Sequence, residues 1–505
     1  MSSTKDAYRE IFDAYSPDEF HTLSNIKRFM ECLVADPEFR EKLTANMDDL
    51  APVMAEYGVD VDPYMMLPLF SSKHLQYRDK DEEAQWPLSK MWSEYMQKII
   101  AHRDMLRDHG ATEVVHPSFH KWRQRQISRG MSELGASGPS ITHPIVAYEL
   151  CDGCSVGCWF CGISAERFQG YLPYDEESAP LWRGVVQSMV DHFGDAAQTG
   201  FCYWATDPMD NPDYDKFIED HYHVTGFLPQ TTSAAPLKDV ALTRRVMALF
   251  DKYRCVTNRF SIVNLKLFRK VHAEFTPEEL MGVEIVAQNT EALMAKANAG
   301  RARERKAKLR AAGKDDKIAV HDDDHSTIAC VSGFLVNMVN RTVRMTSPTR
   351  GGDRWALGYR VYDERHFDTP EEFSAVIDEM IKRHCVNELQ PGDRLAFRPD
   401  LEYTQFDDGF EVRNSTQIHT LCGLPYSAHL GRLVNEGDML VGQIQAELIA
   451  DGANVFMVCE TLQHLFDIGI FDDDPKYGGI GLRPVLIETE IIDSASVAAG
   501  EVGRA

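Results

Sequence analysis

Three cysteines, Cys154, Cys158 and Cys161, stand at C-x3-C-x2-C spacing within Cys151-Asp-Gly-Cys-Ser-Val-Gly-Cys-Trp-Phe-Cys-Gly162. Nothing else limits so tightly what this chain can become. Three thiolates on one short loop can wrap one face of a small inorganic cluster. Gly153 and Gly157 permit the unusual backbone angles that such a wrap requires. A tetrahedral zinc site needs a fourth ligand and is usually built from C-x2-C pairs; Cys151 precedes Cys154 at x2 spacing, so zinc stays open. A cube of four irons and four sulfides normally takes four thiolates, and three leave one iron free to bind a substrate. The other cysteines of the eleven show no such clustering, so a single cluster is expected.

The 505 residues suggest about three domains with ample sequence for a buried core. With 53 Lys plus Arg against 78 Asp plus Glu, the formal charge is −25, which repels phosphate backbones and argues against nucleic acid as a partner. The N-terminal residues lack the apolar core of a secretory signal. No apolar stretch approaches the ~18 residues a membrane span needs. A soluble cytoplasmic protein is the expectation, with its cysteines as ligands, catalytic thiols or core residues.

Residues 1–140 read as a helical domain, with Leu23, Ile26, Phe29 and Leu33 at helical spacing. From 141 to 370 strands alternate with helices. Strand candidates are Ile145–Leu150, Gly200–Ala205, Val224–Thr232, Arg259–Val263, Val283–Ala287 and Thr327–Val331; helices fill Leu181–Phe193 and Leu237–Tyr253. Six such repeats predict an α/β fold with a parallel, barrel-like sheet and chemistry at the strands' C-terminal ends. Residues 301–317 carry eight Lys or Arg against three Asp or Glu and read as a solvated helix, or as a surface steering an acidic partner. His321-Asp-Asp-Asp-His325 has ligand residue types, yet adjacent residues converge poorly on one ion, which favours a solvated loop. Residues 371–505 predict a helix over Glu371–Cys385, a hairpin around Asp407-Asp-Gly409 and helices ending near Gly469. That is a small winged-helix-like unit, followed by a frayed tail after Asp493.

The triplet, placed after the first strand of a βα array, resembles the signature of radical S-adenosylmethionine (SAM) enzymes. The stretch Tyr148-Glu-Leu-Cys-Asp-Gly-Cys through Ser164-Ala165 is similar to the peptide amino-acid epimerases that mature ribosomally made natural products of the proteusin type. So are Tyr203-Trp-Ala-Thr-Asp-Pro-Met-Asp-Asn-Pro-Asp and Ala329-Cys-Val-Ser-Gly-Phe-Leu-Val-Asn-Met. The resemblance covers about residues 141–370. It implies a partial (β/α)6 radical SAM barrel with a helical N-terminal region and a winged-helix-like C-terminal unit. It also implies a 4Fe-4S cluster on Cys154, Cys158 and Cys161, with SAM chelated to the open iron.

Further roles follow from the resemblance only where positions match. Phe160 falls where the family packs an aromatic near the adenine. Thr206 and Asp207 replace the family's Gly-Gly-Glu segment. An anionic oxygen facing the SAM ammonium is what the chemistry needs, although Asp207-Pro208 also initiates turns. Ser261 and Asn264 match polar residues that bind the SAM ribose and carboxylate, and either also suits a helix cap near Leu265. In an epimerase, a radical removes a Cα hydrogen from an L-residue, and a thiol returns hydrogen from the opposite face. Cys330, on the sixth strand candidate, is the expected donor and Cys202 the next; free cysteines are also common core residues.

The implied substrate is a precursor peptide with leader and core, and the implied electron donor a protein such as flavodoxin or ferredoxin. The 401–471 segment resembles leader-recognition domains, whose exposed strand edge accepts the leader. Asp36-Pro-Glu-Phe-Arg-Glu-Lys-Leu with Tyr57-Gly-Val-Asp-Val-Asp-Pro resembles leader segments themselves, and an ordinary helical lid or docking domain explains it as well. Peptide crosslinking or methylation by the same radical generator is the second reading. A non-catalytic iron–sulfur or zinc protein is the third.

Overall fold

Caps and prolines set where the first helices begin. Ser16 Oγ accepts the Glu19 N–H while the Glu19 carboxylate takes the Ser16 N–H, and Pro17 occupies the first helical position. The computed structural model describes residues 4–481 apart from 79–84, 113–114, 257, 295, 316–317 and 319–325. His321–His325 and the tail after Asp493 thus lie outside the described residues. Before residue 140 the described elements are helical: α1 (Thr4–Tyr8), α2 (Pro17–Ala35), α3 (Pro37–Ala45), α4 (Ala51–Glu56), α5 (Pro87–His109) and α6 (Pro117–Glu133), with short 3-10 and π turns between.

The fold is mixed α/β. Strands β1 (Val146–Glu149), β2 (Cys151–Asp152) and β3 (Gly170–Tyr171) are followed by α7 (Ser178–Phe193) and α8 (Tyr214–Thr225). Then come β4 (Thr231–Ser233), α9 (Val240–Tyr253), β5 (Asn258–Ile262), α10 (Leu265–Glu274), β6 (Val283–Ala287) and α11 (Gly300–Ala311). The chain continues through β7 (Gly333–Asn337), β8 (Thr342–Pro348), β9 (Tyr359–His366) and α12 (Pro370–His384). Strands β4, β5 and β6 pair in parallel, and β1 pairs in parallel with β7. Phe201 joins the two sets through parallel bridges to Ala147 and Gln230. One parallel run therefore reads β7, β1, Phe201, β4, β5, β6, with β8 and β9 added antiparallel beside β7.

Three strand expectations are corrected. Gly200–Ala205 contributes only the bridges of Phe201, because the chain bends away and the Ala205 N–H goes to the Glu149 side chain. Val224 and Thr225 belong to α8, which Gly226 ends in the left-handed region at φ 79°, so the strand shrinks to Thr231–Ser233. Thr327–Val331 is not a strand. Thr327 Oγ captures the Ala329 N–H, and the strand starts at Gly333, where a Cβ would fall 2.0 Å from Ile145 O. This strand lies beside β1 rather than beyond β6, which is the order a simple six-strand count implies.

Apolar periodicity accounts for the covering layers. Leu181, Trp182, Val185, Val186 and Met189 of α7 pack with Tyr148, Phe217 and Phe334 in one core. Leu23, Ile26 and Phe29 of α2 pack with Phe260, Ile262 and Val283 of the sheet in another. The C-terminal unit has its own core around Leu395, Phe410, Leu430 and Leu462. It comprises an antiparallel sheet of β10 (Glu402–Gln405), β11 (Gly409–Arg413) and β12 (Ile418–Cys422), then α13 (Ser427–Glu436), α14 (Val441–Ala450) and α15 (Val455–Asp467).

Buried charge joins this unit to the rest. Glu133, at the end of α6, pairs with Arg129 at 3.2 Å, Arg360 of β9 at 2.6 Å and Arg398 at 3.7 Å. Arg398 also donates to Gly469 O at 2.6 Å, and Arg125 pairs with Asp473 at 3.0 Å. Burial pushes the Glu133 carboxyl up, but Arg360, Arg129 and Arg398 outweigh it and hold it well below the usual carboxylate range. A depressed carboxylate stabilises the folded state fully above its unfolded pKa near 4.5, and loses that contribution as pH falls through the folded value. Glu133→Gln should remove the carboxylate that Arg129, Arg360 and Arg398 share, leaving them Asp473, Asp474 and Asp400, and lower unfolding free energy by about 3 kcal/mol in a urea titration at pH 7. An unchanged midpoint would mean the network carries no weight.

Candidate functional site

The cysteine loop leaves the C-terminal end of β1 and is closed at its base by the β2–β3 hairpin, where Cys151 pairs with Tyr171 and Asp152 with Gly170. Gly153, at φ 73°, lies so close to the returning chain that a Cβ would sit 2.3 Å from Arg167 O. Within the loop the Cys154 N–H donates to Glu166 O at 2.9 Å and the Ala165 N–H to Cys161 Sγ at 3.4 Å. All three thiols are half-buried and free. Burial pushes Cys154 up to about 11, and the backbone N–H groups of Val156 and Gly157, directed at its sulfur, partly offset this. Cys158 is pushed up to about 12 by burial and then by the nearness of Cys154 and Cys161.

Among the described residues no group of three His, Cys, Asp or Glu side chains forms a ready-made metal site. The donor set nonetheless fits a cluster. Three soft thiols lie within electrostatic reach of one another, backbone N–H groups point at two of the sulfurs, and a bound cation would lower the thiol pKa values that burial has raised.

The basic segment read as a solvated helix turns out to hold this loop. Helix α11 begins at Gly300, φ 49°, where a Cβ would lie 2.4 Å from Gly162 O. Next to it, the Arg301 N–H donates to Cys161 O at 3.0 Å, Arg301 Nη1 donates to Cys158 O at 3.2 Å, and Nη2 donates to Ala165 O. One turn on, the Arg305 guanidinium lies 4.2 Å from the centre of the Trp159 ring. Composition hid this role; a glycine followed by arginine at a helix start was the available signal.

A second anchor was also missed. Asp210, fully buried, accepts the Ser155 N–H at 2.8 Å and the Ser155 hydroxyl, and pairs with Lys238. Three residues before it, Asp207 is buried and accepts from Met209 N at 3.0 Å, Ser233 Oγ at 2.8 Å and Ala234 N at 2.7 Å. Burial pushes its carboxyl up to about 6, against those hydrogen bonds. Asp207 thus caps the Pro208–Asp210 turn and ties it to the end of β4, as the turn reading expects. Thr206 is half-buried beside it. Glu149, ending β1, accepts Ala205 N at 2.8 Å and Asn337 Nδ2 at 3.0 Å, and so joins three neighbouring segments at one end of the sheet.

Phe160 is buried, edge-on to Trp159 at 5.4 Å. Ser261 is half-buried on β5. Asn264 caps α10 by accepting the Leu267 N–H at 2.9 Å.

Cys330 lies ahead of β7 rather than on a strand. It packs with Cys161, Tyr203 and Trp204 against Ala147, Phe201 and Leu335. Burial pushes the thiol up to about 12 while Arg259 pulls the other way. Cys202, the alternative donor, belongs to the core beneath α7 and α8, on the opposite face from Phe201 and Tyr203.

A cavity of about 760 Å³ lies elsewhere, lined by Tyr8, Phe12, Phe250, Asp251 and Asn258. Its charges are spent on one another: Tyr8 on Asp251 at 3.0 Å, Arg254 on Asp13 at 3.0 Å and Arg244 on Glu279 at 3.0 Å.

No family model matches the chain. It is 48% identical over 468 residues to the Sinorhizobium fredii protein named "Uncharacterized protein y4wI", spanning 92% of this chain and 90% of that one. Among solved structures, BtrN in complex with AdoMet and 2-DOIA matches at a TM-score of 0.21 and 11% identity, over 28% of this chain and 56% of that one. A likeness that slight bears neither on fold nor on function. No helix of the described residues is long and apolar enough to cross a membrane.

If Arg301 holds the cysteine loop, Arg301→Ala should speed iodoacetamide labelling of Cys154, Cys158 and Cys161 several-fold in metal-free protein, read by peptide mass mapping. Buried Cys202 and Cys385 should stay unlabelled. Equal rates in variant and parent would show that the loop is held by other means.

Proposed function

The chain belongs to the family of the rhizobial protein y4wI, and from the site just described we propose that it is a radical SAM enzyme that converts L- to D-residues in a ribosomally made precursor peptide. The observation that carries the reading is a pair of thiol environments on one patch of sheet. A loop of three cysteines leaves the end of β1, and Cys330 shares an apolar cluster with the last of them. The parallel run from β7 through β1 to β6 supports a partial barrel around that patch.

Cys154, Cys158 and Cys161 would hold a 4Fe-4S cluster, and SAM bound there supplies, on one-electron reduction, the 5′-deoxyadenosyl radical that takes a Cα hydrogen. The chain's own residues do the rest. Arg301, Arg305 and Asp210 fix the loop, so the ligands are not left to wander. Phe160 gives an apolar wall beside the last ligand. Phe201, Trp204 and Tyr359 belong to the apolar cluster against which the half-buried Cys330 packs, so they fix where its thiol lies. Cys330 would deliver a hydrogen atom, its S–H bond breaking as the Cα–H bond forms, and the thiyl radical left behind would take one electron from the protein donor and one proton from solvent; its raised pKa keeps the hydrogen on sulfur beforehand. The C-terminal sheet offers β10 and β12 as edge strands on either side of β11, and a leader peptide would add there as a further strand.

Two outcomes test this reading. Anaerobically reconstituted protein should contain one 4Fe-4S cluster and cleave SAM with dithionite, and replacing Cys154, Cys158 and Cys161 by Ala together should abolish both. Zinc in place of iron, or a full cluster in the triple variant, would overturn the assignment. With a precursor encoded by a neighbouring reading frame, reaction in heavy water should add about one mass unit per inverted residue, because the donated atom comes from an exchanged thiol. Cys330→Ala should retain cluster and 5′-deoxyadenosine formation and yield no D-residue. Epimerisation at the parent rate would remove Cys330 from the mechanism, and a product of altered mass in ordinary water would favour crosslinking or methylation.

A further inference from the structure

Helix α11 has two ends with different work. Its first turns hold the cysteine loop through Gly300, Arg301 and Arg305. Beyond them, Lys308 and Arg310 on the helix and Lys314, three residues past its end, are exposed and form no ion pair among the described residues. At 1.5 Å per residue, Lys308 and Arg310 stand about 10–14 Å along the helix axis from Arg301. The contrast with the whole chain is sharp, since a formal charge of −25 repels any acidic macromolecule that approaches at random. From Arg301 to Asp315 seven basic side chains stand against two acidic ones, Glu304 and Asp315, and this excess, on the helix that holds the cysteine loop and just past its end, creates a local field of the opposite sign.

Resting on the radical SAM reading above, we infer that the outer part of α11 and the residues just past it, around Lys308, Arg310 and Lys314, form the docking surface for an acidic one-electron carrier protein. The reduced carrier loses one electron, the group held on Cys154, Cys158 and Cys161 gains it, and no proton or atom is exchanged between the proteins. The charge pattern argues for this occupant. An acidic carrier faces repulsion over most of the surface and attraction here, and capture here leaves it beside the loop that must be reduced. Lys306, on the same helix, is buried and turned inward, so it takes no part.

The test compares two reductants on the holoprotein. Lys308→Gln/Arg310→Gln/Lys314→Gln should slow SAM cleavage driven by reduced flavodoxin about tenfold at low salt and flatten its salt dependence. Cleavage driven by dithionite should be unchanged. Lys382→Gln/Arg383→Gln, which removes exposed charge from α12, should keep the parent's rate and salt dependence with either reductant. Equal flavodoxin-driven rates in the triple variant and the parent would overturn the inference. So would a loss seen equally with dithionite, which would make the charges part of the fold or the site. A parent that responds to dithionite and not to flavodoxin would also overturn it. Weaker precursor binding with unchanged carrier-driven cleavage would assign the surface to an acidic stretch of the substrate instead. A parent that cleaves no SAM with dithionite fails the radical SAM reading itself, which separates the two failures.

Discussion

Glu133 is the point on which three parts of the molecule are pinned. Its carboxylate ends α6, which belongs to the N-terminal helical region. Its partners come from the same helix, from β9 and from the segment leading into β10. Replacing such a network with apolar side chains can be neutral or stabilising, so it is not evidence of extra stability. What it provides is registry. Arg129, Arg360 and Arg398 are nearly inaccessible and pair in turn with Asp473, Asp474 and Asp400, so none can move away from Glu133 without disrupting a network of buried charges. The C-terminal sheet is thereby held at a set position relative to β9, and through β8 and β7 to β1, from whose end the cysteine loop leaves. In the proposed function that fixed geometry matters, because a peptide held at one site by its leader has to reach another with its core.

The cysteine loop poses the reverse problem. Short, glycine-containing and only half-buried, it has too little apolar surface to hold itself. Hydrogen bonds from outside do that work: the Arg301 side chain donates to Cys158 O and Ala165 O, and Asp210 accepts from Ser155. A charged side chain bonding a carbonyl is worth about 1.5–3 kcal/mol when desolvated, so a few such bonds suffice to choose one conformation among many. Gly300 and Gly162 allow helix and loop to touch backbone to backbone, and any side chain at residue 300 would push them apart.

How much of this was legible beforehand follows from what each signal measures. Strand β6 matches its expectation residue for residue, because Val283-Glu-Ile-Val-Ala combines β-branched residues with a buried site at each end. The hairpin expected around Asp407-Asp-Gly409 was readable from its turn residues, and the helix expected over Glu371–Cys385 runs from Pro370 to His384, where Thr369 accepts the Glu372 N–H at its start. Thr327–Val331 misled because apolar residues pack just as well on an irregular segment; the decisive bond, from Ala329 N to Thr327 Oγ, is a local capture that hydrophobic pattern does not register. Cys154, Cys158 and Cys161 announce themselves by spacing. Arg301 and Asp210 do not, because their partners lie more than 50 residues away and are backbone atoms or a lone serine. Asp207 and Asn264 illustrate a different limit. Each was readable both as a ligand-binding group and as a cap, and in the folded chain each caps.

The choice between Cys330 and Cys202 is where fold adds most to sequence. Both thiols are shielded, and burial raises both pKa values, so both carry their hydrogen at neutral pH. Chemistry alone does not separate them. Packing does: Phe201 and Tyr203 pack in the cluster that contains Cys161, whereas Cys202 is buried in the core with α7 and α8. A hydrogen donor enclosed beneath a helix layer cannot meet a peptide without unpacking Trp182 and Phe217, which share its core. Cys330 reaches the cysteine-loop side because its segment stays irregular, free of the strict in-and-out alternation a strand would impose. The failed strand expectation and the preferred donor are the same structural fact.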